Sequence, residues 1–196
     1  MSGALAGGLA GCGARPVPPR PSPTFLGTPY EDAFLGYRVV LPPGWRRSTH
    51  PRLTRQTPGS PPTANEIFTV RTVQDEEQQV ACCLGDTSSP TLAYTVIVQV
   101  LENPRRLDAQ QWPRSYYQGT QVTPVTVGGR PAVRAKDSPV GNGPAPGATG
   151  LWVGRDDQMF IVSPLYFVPA WLPPGWTEAK LAYDAQQIVD SFEFTR

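Results

Sequence analysis

Few residues in this sequence are able to do chemistry, and their spacing matches none of the common catalytic motifs. His50 is the only histidine, so a metal site built from several imidazoles is excluded, and a Ser-His-Asp arrangement would have to use this residue. Ser48 lies two positions away, but no Gly-x-Ser-x-Gly nucleophile elbow or phosphate-binding loop occurs. The sequence therefore predicts no catalytic residue, no metal site and no cofactor. A hydrolase built on Ser48 and His50 is the least favoured functional hypothesis.

Cys12 lies in a pattern typical of covalent lipid attachment. Leu9-Ala10-Gly11-Cys12 resembles a bacterial lipobox, in which small residues precede a cysteine whose thiol takes the lipid. The resemblance implies cleavage before Cys12 and a lipid anchor on its sulfur. Residues 1–12 lack the basic start and the long apolar stretch of a complete signal peptide. Either the natural start lies upstream, which we favour, or the terminus matches by chance.

A proline-rich segment, residues 13–29, follows Cys12. Its closely spaced prolines are Pro16, Pro18, Pro19, Pro21 and Pro23. Such a series favours extended polyproline II, a semi-rigid spacer of about 3.1 Å per residue. We interpret 1–12 as the remnant of a signal peptide, 13–29 as a tether and 30–196 as one globular domain. The lipid would anchor the protein to the cell membrane on its extracytoplasmic side. A disordered tail without an anchor has the same composition, and the protein would then be secreted.

The other cysteines, Cys82 and Cys83, are adjacent in the chain. Neighbours in a strand point to opposite faces of a sheet, and a disulfide between neighbours closes a strained ring. We interpret the two as small buried hydrophobic residues, with the strained disulfide as the alternative.

The charge balance argues against nucleic acid as a partner. The chain has 17 basic and 16 acidic residues, a net charge of +1, whereas nucleic-acid binding depends on a basic excess that neutralises phosphates. Arg46 and Arg47 begin the one basic stretch, which continues to Arg55. This stretch predicts either a solvated loop or a patch that contacts an anionic partner.

The apolar pattern predicts a sheet-rich domain, although the chain contains 24 prolines and 19 glycines. Alternating apolar residues bounded by turn residues are typical of strands, and short glycine or aspartate turns between them favour hairpins. The predicted strands span 37–41, 67–73, 80–84, 92–101 and 191–195, and the predicted hairpins span 121–136 and 151–162. Residues 46–65 are polar and proline-rich, which predicts a long loop.

A helix is predicted near the end of the chain. Thr177 is a suitable N-cap, and Leu181, Ala185, Ile188 and Phe192 follow it at helical spacing along one apolar stripe. A second, short helix is expected within 107–117. Both faces of the strand 92–101 are partly apolar, so we expect both faces of the sheet to be covered. The predicted fold class is α+β, a central antiparallel sheet with helices packed on both sides.

Three motifs resemble the PsbP-like superfamily, which includes photosystem II extrinsic proteins and bacterial lipoproteins of the LpqN type. Gly36 to Trp45 resembles its opening strand, Val125 to Ala132 its middle hairpin, and Ala185 to Phe194 its closing helix and strand. The resemblance spans about 36–194. It implies an α/β/α sandwich without enzyme activity, whose members bind partners or stabilise assemblies. Metal binding in some members involves histidine, and His50 falls in no matching motif.

Leu41-Pro42-Pro43-Gly44-Trp45 recurs as Leu172-Pro173-Pro174-Gly175-Trp176. The second copy closes an aromatic run that includes Phe160, Tyr166, Phe167 and Trp171. These rings either cap the core beneath a rigid loop or remain partly exposed as an apolar contact patch.

Three functional hypotheses follow. We favour a non-catalytic, envelope-tethered accessory or protein-binding module, whose partner is another envelope protein or membrane complex. The candidate binding residues are Tyr166, Phe167, Trp171, Trp176, Arg46 and Arg47. The alternative is an extracytoplasmic carrier of a small apolar ligand that the 160–176 aromatics would line. The hydrolase is the third.

Overall fold

The computed structural model describes residues 26–48, 64–70, 94–112, 121–136, 149–166, 172 and 175–195. These ranges contain ten strands and one helix of regular length. The strands are β1 (Thr28–Asp32), β2 (Tyr37–Leu41), β3 (Arg46–Arg47), β4 (Ala64–Thr69), β5 (Tyr94–Glu102), β6 (Val122–Val127), β7 (Arg130–Lys136), β8 (Thr149–Arg155), β9 (Gln158–Tyr166) and β10 (Glu193–Phe194), and the helix is α1 (Glu178–Asp190).

The described strands form two antiparallel sheets. The large sheet has seven strands in the order β3-β4-β5-β9-β8-β7-β6, and the small sheet has three in the order β1-β2-β10. The longest pairing, β5 with β9, runs from Tyr94 opposite Tyr166 to Glu102 opposite Gln158. The strands β6 to β9, which follow one another in sequence, are therefore adjacent in the large sheet. β9 also pairs with β5, from which it is separated by a long stretch of sequence.

The large sheet is apolar on both faces, because successive side chains of a strand point to opposite faces and several strands have apolar residues in succession. Val153 lies in the first core, and its neighbour Trp152 lies in a second cluster on the opposite face. β2, β10 and α1 cover the first face, where Val39 and Ile188 are fully buried. In the described part of the chain the second face is covered by 103–112, from which Trp112 packs against it.

The predicted fold class, an α+β sandwich with helices on both sides of the sheet, is wrong. Among the described residues 53% are in strands and 14% are helical, so the protein is mainly β. Apolar residues on both faces predict a cover but do not specify its secondary structure. On the first face the small sheet shares the cover with α1, because β2 pairs with β1 and β10. Of the second predicted helix, 107–117, the structure describes only 107–112, in which 109–111 form a turn and Trp112 is helical, and the remainder lies outside the described residues.

Several local predictions are confirmed. The hairpin β6–β7 turns at Gly128 and Gly129, whose φ angles of 55° and 79° suit glycine. Thr177 caps α1, since its hydroxyl oxygen accepts a hydrogen bond from the backbone nitrogen of Lys180 at 3.1 Å. The helical stripe predicted from Leu181 is buried against the first core.

Other boundaries differ from the predictions. β4 begins three residues before the predicted strand 67–73, and Arg46 and Arg47 form the short strand β3 at the start of the predicted loop. β3 pairs with the end of β4, with Arg46 opposite Thr69. The predicted strand 80–84, with Cys82 and Cys83, lies outside the described residues.

An aromatic cluster forms the centre of the first core. The ring of Tyr37 stacks on Phe192 with centroids 5.4 Å apart, and Phe160 meets Phe194 edge to face at 5.1 Å. Tyr37 is fully buried, and its hydroxyl has no hydrogen-bond partner among the described residues. Burial raises the pKa of this phenol, and the nearby Tyr30 and Glu66 raise it further.

Tyr37→Phe is expected to raise the free energy of unfolding by about 1 kcal/mol at neutral pH, because it removes a buried polar group that has no partner. The unfolded state ionises Tyr37 near its ordinary pKa of 10.0, whereas the folded state keeps it neutral to higher pH. The contribution of Tyr37 to folding stability is therefore fully present below pH 10 and is lost as the pH rises further. Above pH 10 the free energy of unfolding of the variant should fall less steeply than that of the original protein, by about 1 kcal/mol per pH unit. Urea unfolding between pH 7 and 11 measures both effects. A destabilised variant would show that the hydroxyl has a hydrogen-bond partner, and an unchanged pH slope would show that folding does not raise the pKa of Tyr37.

Candidate interaction surface

Each copy of the Leu-Pro-Pro-Gly-Trp motif places a glycine in the left-handed region. Gly44 has φ 86° and Gly175 has φ 82°. In the first copy the backbone nitrogen of Trp45 donates to the carbonyl oxygen of Pro42 at 3.0 Å. A type II turn needs a positive φ at its third position, which glycine provides, and proline is common at its second position.

The two copies of the motif meet in the structure. A Cβ atom added at Gly44 would lie 2.7 Å from Cζ2 of Trp176, so the Trp176 ring sits against the turn of the first copy. The ammonium group of Lys180 lies 4.2 Å from the centre of that ring, and its Nζ donates to the buried Asp184 carboxylate at 2.5 Å. Trp45 donates to the same carboxylate at 3.4 Å. We call this group, Gly44, Trp45, Trp176, Lys180 and Asp184, the twin-motif contact.

The twin-motif contact has a structural role at Trp176, which is half-buried and packs against the first core. Phe160, at the start of the same aromatic run, is fully buried. Tyr166 ends β9, and its side chain lies outside the described residues together with Phe167 and Trp171. Trp176 is therefore the one candidate aromatic whose side chain the structure describes.

The two candidate arginines have different surroundings. Arg47 makes a two-point contact with the Glu66 carboxylate, in which its Nη2 donates to Oε1 at 2.6 Å and its Nε to Oε2. Its guanidinium also lies 5.8 Å from the ring centre of Tyr30. The Glu66 hydrogen bond raises the pKa of Arg47 although its burial opposes this. Arg46 donates from Nη1 to the carbonyl oxygen of Arg47 at 3.3 Å. The Arg47 guanidinium therefore already forms an ion pair with a carboxylate of the same protein, Glu66.

The residues considered for covalent chemistry are mostly beyond the described ranges. Cys12 and His50 lie outside them, and Ser48 is buried, with 1% of its surface exposed. Within the described ranges no group of three or more His, Cys, Asp or Glu side chains is placed to hold a metal ion. No helix in those ranges is long and apolar enough to cross a membrane.

The β1–β2 turn, residues 33–36, presents an aromatic side chain that sequence reasoning missed. Phe34 is 94% exposed, whereas the next residue, Leu35, is buried. One carboxylate oxygen of Asp32 accepts hydrogen bonds from the backbone nitrogens of Phe34 and Leu35, at 2.9 and 2.8 Å. The Asp32 carbonyl oxygen accepts from Gly36 at 2.7 Å. The backbone beneath Phe34 is thus closed on itself by local hydrogen bonds.

Arg155 holds the same turn from the large sheet. Its Nη2 donates to the carbonyl oxygen of Leu35 at 2.6 Å, and its Nη1 donates to that of Gly36 at 2.9 Å. Gly36 has φ 64°, and a Cβ atom there would lie 2.9 Å from Nη1 of Arg155. Thr195, which follows β10, adds a backbone hydrogen bond to the Gly36 carbonyl at 3.1 Å. Two sheets therefore fix the conformation of one turn.

The sequence contained part of the signal for this turn. Asp32 and Gly36 are typical of a tight turn between strands, since aspartate caps backbone amides and glycine tolerates positive φ. Ala33-Phe34-Leu35 reads as a short apolar run, however, and such a run alone does not tell which of its members points to solvent. Arg155 is too distant in sequence to be linked to the turn without the fold.

No protein-family model matches the chain, and no curated protein matches it. The resemblance to the PsbP-like superfamily, which rests on three short motifs, stays a prediction.

Proposed function

We propose that this protein is a non-catalytic, protein-binding module, held on the outer side of the cell membrane by a lipid on Cys12. Its partner is another protein of the cell envelope. The proposal combines the lipobox-like terminus and proline-rich tether with the surface presented by the β1–β2 turn.

The observation that carries the proposal is the exposure of Phe34 on a fixed backbone. Aromatic residues are enriched among the few that supply most of the binding energy at protein interfaces. A side chain on a backbone that is already ordered loses less conformational entropy on binding than one on a flexible loop. Phe34 is 94% exposed, yet the turn that bears it donates hydrogen bonds to Asp32 and accepts them from Arg155 and Thr195. It has the properties of an anchor that enters an apolar pocket of a partner.

The alternative, a carrier of a small apolar ligand, is weakened by the position of Phe160. That ring contacts Tyr37, Phe192 and Phe194 in the first core instead of lining an open cleft. Trp176 in turn rests on the Gly44 turn. We therefore place the binding function on the outer surface of the domain.

A photo-crosslinking amino acid tests this function when it replaces Phe34 in the cells that naturally produce the protein. We expect a discrete cross-linked product at this position. Tyr183, another exposed aromatic residue at 62%, lies on α1 and provides the matched control. The Tyr183 position is expected to give no such product. Equal products at both positions, or none at Phe34, would contradict the assignment of Phe34 as the anchor.

The tether is tested separately. When the full-length reading frame is expressed, mass spectrometry of the mature protein isolated from membranes should show a diacylglyceryl group on Cys12 as its first residue. An unmodified Cys12 in a protein that is found in the medium would remove the anchor from the proposal, while the Phe34 test would still apply.

A further inference from the structure

Two arginines converge beside the β1–β2 turn, at the adjacent ends of β7 and β8. Ala132 lies opposite Val153 in this pair of strands, so Arg130 and Arg155, two residues further, occupy facing positions on the same face of the sheet. Both guanidinium groups contact one ring. The Cζ atom of Arg130 lies 5.7 Å from the centroid of Phe194, and that of Arg155 lies 4.9 Å from it.

Neither arginine forms an ion pair with any residue that the structure describes. Three other arginines in strands, Arg38 on β2, Arg47 on β3 and Arg134 on β7, each pair with a carboxylate. Both members of the converging pair are only partly exposed. Charged side chains that are removed from water are normally paired, so two adjacent guanidinium groups that form no ion pair among the described residues are unusual.

The surroundings of Arg155 show the electrostatic cost of this arrangement. Burial lowers the pKa of its guanidinium, and the positive charge of Arg130 lowers it further, while Asp156 in the adjoining turn partly offsets both effects. The charges of Arg155 itself, Arg130 and Asp156, which are the ones that determine this shift, sum to +1. A single negative charge placed between the arginines would neutralise this excess.

We propose that Arg130 and Arg155, on either side of their shared contact with Phe194, bind a carboxylate from an acidic segment of a partner protein. The inference rests on the proposed function and adds the chemistry of the partner. Guanidinium groups match the planar geometry of a carboxylate and bind it through charge-assisted hydrogen bonds. A doubly charged phosphate would exceed the local positive charge and lie close to Asp156, so the carboxylate is favoured.

Arg155 has guanidinium N–H groups that make no hydrogen bond within the turn, and it lies close to Phe34. Arg155 uses one N–H of Nη1 and one of Nη2 on the carbonyl oxygens of Gly36 and Leu35, which leaves its other donors for a ligand. Those carbonyls immediately follow Phe34 in the chain. A partner that buries Phe34 would thus bring its own groups close to Arg155, and the two contacts would combine an apolar anchor with a charged one.

The test uses an N-acetylated, C-amidated tetraglutamate peptide as the probe, titrated into the protein at low ionic strength and followed by the NMR signals of arginine Nε–H groups. We expect the Arg130 and Arg155 signals to shift and Arg130→Gln to weaken binding about tenfold, the loss typical of a charge-assisted hydrogen bond. Arg130 lies beside a turn and holds no ion pair among the described residues, so this variant should fold, which a thermal melt will verify.

Lys136→Gln is the matched control, because it removes one positive charge from the opposite end of the same strand. It should weaken binding less than twofold, as expected for a distant, screened charge. Equal losses in both variants would mean non-specific attraction and would overturn the site. Tighter binding of inorganic phosphate than of tetraglutamate would overturn the carboxylate assignment. If Phe34 gives a cross-link but Arg130→Gln does not weaken binding, the proposed function is supported and the arginine site is wrong. If Arg130→Gln weakens binding but Phe34 gives no cross-link, the arginine site is supported and Phe34 is not the anchor.

Discussion

Gly44→Ala is expected to lower the free energy of unfolding by about 3 kcal/mol, against about 1 kcal/mol for Gly175→Ala. The two glycines occupy the same position in the two motif copies, with φ angles of 86° and 82°, so an alanine suffers similar backbone strain at each. Their surroundings differ. The added methyl carbon would lie 2.7 Å from Trp176 at Gly44 but meets nothing within 4 Å at Gly175. The difference between the variants therefore isolates the contact between the motif copies.

Urea unfolding of the two variants measures these losses, and a third variant identifies their cause. Trp176→Leu removes the ring that an alanine at position 44 would strike. Added to Gly44→Ala, it should reduce the penalty of the glycine substitution to about that of Gly175→Ala, and the deviation from additivity would measure the clash. If the two glycine variants lose the same free energy of unfolding, the Trp176 ring moves aside without cost. The contact between the two motif copies would then contribute little to stability.

Phe160→Ala is expected to lower the free energy of unfolding by about 3–5 kcal/mol, the largest effect that we predict. Phe160 is fully buried and its ring contacts Phe192 and Phe194, with the Arg155 guanidinium 5.1 Å from its centre. Truncation to alanine leaves a cavity at the junction of the two sheets and removes the surface on which Arg155 rests. The β1–β2 turn that Arg155 holds should loosen as well.

The matched control is Phe34→Ala, the same substitution at a side chain that is 94% exposed. It should change the unfolding free energy by less than about 0.5 kcal/mol, as expected for a surface substitution. Chemical unfolding gives both values, and amide hydrogen exchange of Leu35 and Gly36 reports on the turn. A large loss of stability in Phe34→Ala would show that this side chain is packed in solution and would remove it as a free anchor.

The local pattern of the sequence predicted those parts of the fold that depend on neighbouring residues. Thr177 and the apolar stripe behind it were sufficient for α1, and Gly128-Gly129 was sufficient for the β6–β7 hairpin. These features depend on capping and on backbone freedom, which a few consecutive residues determine.

The arrangement of the layers was not predictable in this way. That Tyr37–Leu41 would pair with β1 and β10 in a sheet of its own depends on contacts with Phe194, more than 150 residues away. The pattern of β2, in which every second residue is buried, is the same whichever partner it has. The expectation of helices on both faces failed at this point.

The candidate surface was missed for a related reason. The sequence directs attention to clustered residue types, such as Arg46 with Arg47 and the aromatic run before Trp176. The fold instead brings together single residues from separate strands, namely Phe34, Arg130 and Arg155. Their significance lies in what surrounds them, because Arg47 has a carboxylate partner and the converging pair has none among the described residues.

The order of the large sheet has a consequence for behaviour at high concentration. An open edge strand offers unpaired backbone groups to other copies and can start aggregation. Among the described strands, β3 and β6 lie at the two edges. β3 is only two residues long, and so short an edge offers few unpaired backbone groups to another copy. β6 contains Pro124, and proline is tolerated in a strand where its nitrogen, which carries no hydrogen, faces outward. Arg46 and Arg47, first considered as a binding patch, form that short edge and so help to keep copies of this protein from joining edge to edge.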